Sequence, residues 1–124
     1  MIKFTLEANS GANLIRGYSD TEVRIGTTRV TRSCIVAAHS LITDWEPAHF
    51  AELAVAHLEV IFALDPEVVL LGTGPTQRFP AAELRAVFAA RRIGLEAMDL
   101  GAACRTFNVL IQEERRAAAA LFLG

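Results

Sequence analysis

Val68-Val69-Leu70-Leu71-Gly72-Thr73-Gly74-Pro75-Thr76-Gln77-Arg78-Phe79-Pro80 reads as a short strand, a glycine-rich turn and the approach to a helix. Residues 68–71 are apolar without alternation, the pattern of a strand covered on both faces in the middle of an α/β sheet. Gly72 and Gly74 free the backbone to turn sharply, and Pro80 suits the first position of a helix. Ligands of open α/β sheets gather at the carboxyl ends of strands, so this turn is the first place to look for a site.

Downstream, Leu84, Val87 and Phe88 fall on one face of a predicted helix over 81–91, with Arg85 and Arg92 outward and Gly94 closing it. Residues 95–98 form a short strand. Asp99 is a good cap for a third helix over 100–113, whose stripe is Leu100, Ala103, Phe107, Leu110 and Ile111. Residues 117–123 read as a last strand. Upstream, Leu53, Val60, Ile61 and Leu64 recur at helical spacing from about Glu52, and Pro66 ends that helix before Asp65. The first third is a β-rich meander. It comprises strands at 2–6 and 14–18, a turn at 9–13, a hairpin of 22–25 with 28–30 around Gly26-Thr27, and strands at 33–38 and 41–45. A β-rich N-terminal part followed by about three helices alternating with strands argues for a mixed sheet with helices packed on it.

The 124 residues suit one domain, 1–124, and 52% hydrophobic content excludes a disordered chain. A formal charge of -2, with Lys3 the single lysine, gives no footprint for nucleic acid. An apolar excess in a small domain points instead to a protein partner or self-association. Cys34 and Cys104 are far apart with no redox spacing, so the expected compartment is reducing. Glu7 interrupts any signal peptide and no run reaches membrane-spanning length, so a soluble, cytoplasmic protein is expected.

Residues 67–74 (EVVLLGTG), 94–99 (GLEAMD) and 102–110 (AACRTFNVL) together resemble the Mth nine-three-eight-like domain family, a family of unknown function. The resemblance runs over most of the chain and is specific from Glu67 onward. It implies an α/β fold of three layers with a mixed central β-sheet. Because members include a mitochondrial assembly factor for respiratory complex I, it also implies a binding or assembly role more than catalysis.

Two places are candidates for a ligand or partner. Gly72-Thr73-Gly74 lacks the third glycine of a dinucleotide fingerprint and the Gly-Lys-Ser/Thr of a P-loop. It is either a tight turn or a cradle, to which Thr73 and Thr76 offer hydroxyls and Arg78 a charge for a small anion. Arg105 and Asn108, three positions apart near the start of the third helix, could meet an oxyanion together, or be engaged internally, Arg105 by Glu83 or Asp99 and Asn108 by a loop carbonyl. Cys104 adjoins the apolar stripe and is expected to be a buried thiol, with a thiolate nucleophile as the sharper reading. His39, His49 and His57 have no metal-ligand spacing, and no Ser-His-Asp set can be assembled. No catalytic residue, metal or cofactor is therefore assigned. The leading expectation is a non-catalytic binding or assembly module. The alternative is an anion-binding protein or enzyme using a cleft between residues 72–78 and 105–108.

Overall fold

Side-chain alternation in three adjacent strands sets the layers of this chain. The computed structural model describes residues 11–123; the strand expected at 2–6 and the start of the turn at 9–13 lie outside the described residues. Strand β6 (Val68–Gly72) runs parallel to both β7 (Gly94–Met98) and β8 (Ala117–Leu121). Strand β8 pairs antiparallel with β4 (Cys34–Ala37), which pairs antiparallel with β5 (Ser40–Ile42). The resulting mixed sheet has the order β5-β4-β8-β6-β7. Successive residues point to opposite faces. Cys34, Val36, Leu70, Ala117, Ala119 and Leu121 therefore enter one core, and Ile35, Val69, Leu71, Ala118, Ala120 and Phe122 the other.

The first core is covered by helix α3 (Leu100–Gln112) and by a separate antiparallel sheet of β1 (Ile15–Tyr18), β2 (Val23–Ile25) and β3 (Thr28–Val30). The second is covered by α1 (Glu59–Phe62) and α2 (Ala82–Ala90). The result is three layers around a mixed sheet, as expected. Phe107 and Phe88 are the large buried side chains that α3 and α2 contribute. Full burial of one such side chain is worth about 1.5–3 kcal/mol. The alanine run is the sheet's centre: all four alanines are buried between β4 and β6. Their small side chains leave room for the helices to lie close.

The hairpin falls where the sequence put it, with Ile25 opposite Thr28 and Gly26 at φ +60. Three readings need correction. No continuous helix runs from Glu52: the segment forms 3-10 turns at Phe50–Glu52 and Val55–His57 before the short α1. Polar side chains compete there with helical hydrogen bonding. The Ala54 N–H donates to His57 Nδ1 at 2.9 Å, while Glu52 Oε1 accepts from Ala48 N–H at 2.9 Å. Gly94 does not close α2 either. Arg92 does, at φ +59, and Gly94 is already the first residue of β7. Pro80 stands before the N-cap Ala81 rather than inside the helix.

A Cβ on Gly72 would lie 3.0 Å from Ala103 Cβ and 3.0 Å from Leu121 Cδ2, so this glycine sets how closely α3 approaches β6. Gly72→Ala is expected to cost about 1–3 kcal/mol in urea unfolding, as overpacking does. Gly17→Ala, with nothing within 4 Å of its new Cβ, is expected to leave the midpoint unchanged or slightly raised.

Candidate functional site

The bend after β6 and the first turn of α3 are bonded to each other. The Thr73 N–H donates to the Met98 carbonyl at 2.8 Å, and the Leu100 N–H to the Gly74 carbonyl at 2.8 Å. Gly74 reaches this position with φ +111, a conformation that favours glycine. Asp99 caps α3, its Oδ1 accepting from the Ala102 N–H at 2.9 Å. The two stretches singled out in the sequence are thus neighbours. Around them lies a cleft of about 280 Å³, lined by Tyr18, Asp20, Gly74, Asp99, Gly101 and Arg105 among others.

The candidate side chains divide. Thr73 is buried, and its hydroxyl donates within reach of the Thr76 carbonyl at 2.7 Å and the Met98 carbonyl at 3.2 Å while accepting from the Arg78 N–H at 3.0 Å. It ties the loop shut. Thr76 takes part through its backbone. Arg78 leaves the cleft and lies over the Phe50 ring, 5.4 Å from its centroid. Asn108 accepts from the Ile15 N–H at 2.8 Å and donates to the Ile15 carbonyl at 2.9 Å, fastening β1 to α3. Its partner is a strand backbone on both sides, not a loop carbonyl. Arg105 donates to the Tyr18 hydroxyl, not to Glu83 or Asp99. Of the eight candidates, Gly74 and Arg105 line the cleft; Gly72, Thr73, Cys104 and Asn108 build its support.

Sequence reasoning missed Tyr18 and Gly101. A Cβ on Gly101 would fall 2.9 Å from the Tyr18 ring, so the glycine makes room for that ring on the first turn of α3. The signal was a poor helix former in the first turn after a strong cap. In the cleft, the carboxylates Asp20 and Asp99 oppose the attraction of Arg105 and of the helix dipole for an anion.

Both cysteines are free and buried in the same core. Burial pushes the Cys34 thiol up to about 12, with a further push from Cys104. Burial likewise pushes Cys104 up to about 12, against a smaller opposing pull from Arg105. Thiols so held stay protonated near neutrality, and the thiolate is the reactive species. Among the described residues no group of three or more His, Cys, Asp or Glu is placed to hold a metal ion.

A second recess, about 340 Å³, opens on the far side of the sheet between α2 and β7. Its lining is mostly apolar: Phe79, Pro80, Phe88, Ala89, Ile93, Leu95 and Ala97, with Arg85. Phe79 is 77% exposed. Among the described residues no helix is long and apolar enough to cross a membrane.

The raised thiols give stability a pH dependence. The unfolded chain loses the thiol protons above about 9.0, whereas the folded chain keeps them to about 12. Between those values the unfolded state binds fewer protons, so stability falls as pH rises. The urea midpoint is expected to drop between pH 8.5 and pH 10.5, and the Cys34→Ala, Cys104→Ala double variant to flatten that slope; an equal slope in both proteins would contradict the burial of neutral thiols.

Comparison with known proteins places this geometry in a family. Residues 15–122 match the family described as protein of unknown function (DUF498/DUF598). The chain is 34% identical over 117 residues to the NADH dehydrogenase [ubiquinone] 1 alpha subcomplex assembly factor 3 of Danio rerio, covering 93% of this chain and 66% of that protein. Among solved structures, a Xanthomonas campestris protein determined by NMR superposes with a TM-score of 0.83 at 37% identity, covering 90% of this chain and 85% of that one. A Bordetella pertussis protein described as a Mth938-like domain superposes with a TM-score of 0.78 at 26% identity, covering 89% and 85%. With its bend after β6, its Asp99-capped helix and its mixed sheet all inside the matched span, the chain belongs to the DUF498/DUF598 family of Mth938-like domains.

Proposed function

We propose that this chain is a non-catalytic module that binds another protein and serves an assembly role. The observation that carries the reading is the exposed Phe79 ring beside a mostly apolar recess on a small domain. Apolar surface that a small fold leaves open is commonly a contact surface. The internal use of Thr73 and Asn108 and the protonated thiols add support, because they leave little reactive chemistry at the α3 cleft. The assembly-factor name of the Danio rerio relative favours the same role, with 66% of that protein's length spanned here. The free thiols fit a reducing compartment such as the cytoplasm.

Cross-linking in cells followed by purification tests the reading. Wild-type chain is expected to carry a cross-linked protein, and Phe79→Ala to lose most of it while keeping its melting temperature. A chain recovered alone at every concentration would overturn the reading, and light scattering would show whether the captured protein is a second copy. The alternative reading, a small-anion recess, draws on Arg105 beside the first turn of α3. It would replace the first if phosphate raised the melting temperature of wild type but not of Arg105→Ala.

A further inference from the structure

The loop that leads into α2 is tied down on both sides of Phe79. Gln77 Nε2 donates to the Ala97 carbonyl at 2.9 Å, the Arg78 N–H to the Thr73 hydroxyl at 3.0 Å, and Arg85 Nε to the Pro80 carbonyl at 3.4 Å. The Phe79 ring is thus exposed from an anchored backbone, beside the recess between α2 and β7. Buried Phe88 and half-buried Ile93 and Leu95 give the recess apolar walls, while the side chains of Ala89 and Ala97 are too small to fill it. Its volume of about 340 Å³ falls within the range of small-molecule pockets, about 300–1,000 Å³. A cavity of about 150 Å³ already takes up benzene, so a single ring or a medium-length alkyl chain is the body that this space admits.

Among the described residues one charged side chain, Arg85, lines the recess. Glu83, two positions before it on α2, does not share its face, and Glu96 alternates with Leu95 and Ala97 and so turns to the opposite face of β7. Arg85 forms no ion pair among the described residues. Its one bond is the long one from Nε to Pro80, which leaves the Nη donors unspent. Other arginines are engaged elsewhere: Arg78 lies over Phe50, Arg91 over Phe62, and Arg115 and Arg116 pair with Glu67. A guanidinium fork matches a carboxylate through two parallel hydrogen bonds. Going beyond the protein-binding reading, we propose that the recess between α2 and β7 is a binding site for a small amphipathic monocarboxylate. Its alkyl or aromatic body would lie among Phe79, Phe88, Ile93 and Leu95, and its carboxylate on Arg85. A doubly charged phosphate would meet a single arginine there, and an amine a like charge.

The test titrates octanoate, octanol and octylammonium, each below its micelle concentration, into the full chain and follows the amides by NMR. Octanoate is expected to shift the Arg85, Ala89, Ile93, Leu95 and Ala97 amides saturably. Octanol, with the same chain and no charge, is expected to bind the same place about tenfold more weakly, and octylammonium to leave those amides unmoved. Arg85→Gln is expected to bring octanoate down to the level of octanol while octanol itself binds as before, a readout that separates a lost contact from a damaged fold. Ala89→Phe fills the recess from the exposed side of α2 and is expected to abolish both; should that variant fold poorly, Arg85→Gln alone decides. The proposal is overturned if octanoate moves none of these amides, if octanoate and octylammonium bind alike, or if Arg85→Gln keeps the preference for octanoate. It is equally overturned if inorganic phosphate displaces octanoate, or if the shifts fall at Tyr18 and Gly101 or at Arg92 and Arg116. If the proposal fails while Phe79→Ala still loses its cross-linked partner, the protein-binding role stands and the carboxylate site falls.

Discussion

How closely α3 can lie on β6 is the constraint on which the architecture depends, and Gly72 sets it. With no side chain there, Ala103 and Leu121 close over the strand end. The Phe122 N–H, from the end of β8, donates to the Gly72 carbonyl at 2.9 Å, so the last segment of the described chain is fastened at the same point. Two more bonds, Thr73 N–H to Met98 and Leu100 N–H to Gly74, stitch the bend to the strand and helix that follow. Close packing of this kind loses its dispersion contacts steeply with separation, which is why a single methyl group is felt.

The small side chains of β8 extend that constraint across the sheet. Ala117 to Ala120 are buried on alternate faces, so both helical layers settle onto a thin centre. Bulk returns on the covering elements and at the ends of strands, in Phe88, Phe107 and Phe122. On the far side Phe122 meets Trp45 at 5.3 Å and Phe50 at 5.6 Å between ring centroids, and the Trp45 indole N–H donates to the His57 carbonyl at 3.2 Å. This ring cluster orders a segment with little regular secondary structure.

What the sequence disclosed follows from the range over which each interaction acts. The buried strand 68–72, the Gly26 hairpin and the Asp99-capped helix were legible because their signals are local: a run, a turn residue, a cap and a stripe. The segment 50–64 was not, since its apolar spacing is helical but Glu52 and His57 bond to backbone N–H groups outside any helix. At the candidate site the neighbourhood was legible and the roles were not. Asn108 finds Ile15, and Arg105 finds Tyr18, across 93 and 87 residues, and no spacing rule reaches that far. Thr73 looked like an exposed hydroxyl in a glycine turn, yet a buried loop must satisfy its own backbone, and that hydroxyl does so. Polar groups spent in this way are engaged within the fold and leave the exposed Phe79 beside an apolar recess as surface of a different kind.

Native-state hydrogen exchange at the Thr73, Leu100 and Phe122 amides tests the central claim most directly, because those three donors hold the bend, the helix and the end of the chain together. The account expects all three to exchange only through global unfolding, at the rate of the slowest core amides. Fast, local exchange at Leu100 and Thr73 with the rest of the sheet protected would contradict it, for the bend would then be a loose loop and not the clasp of the fold.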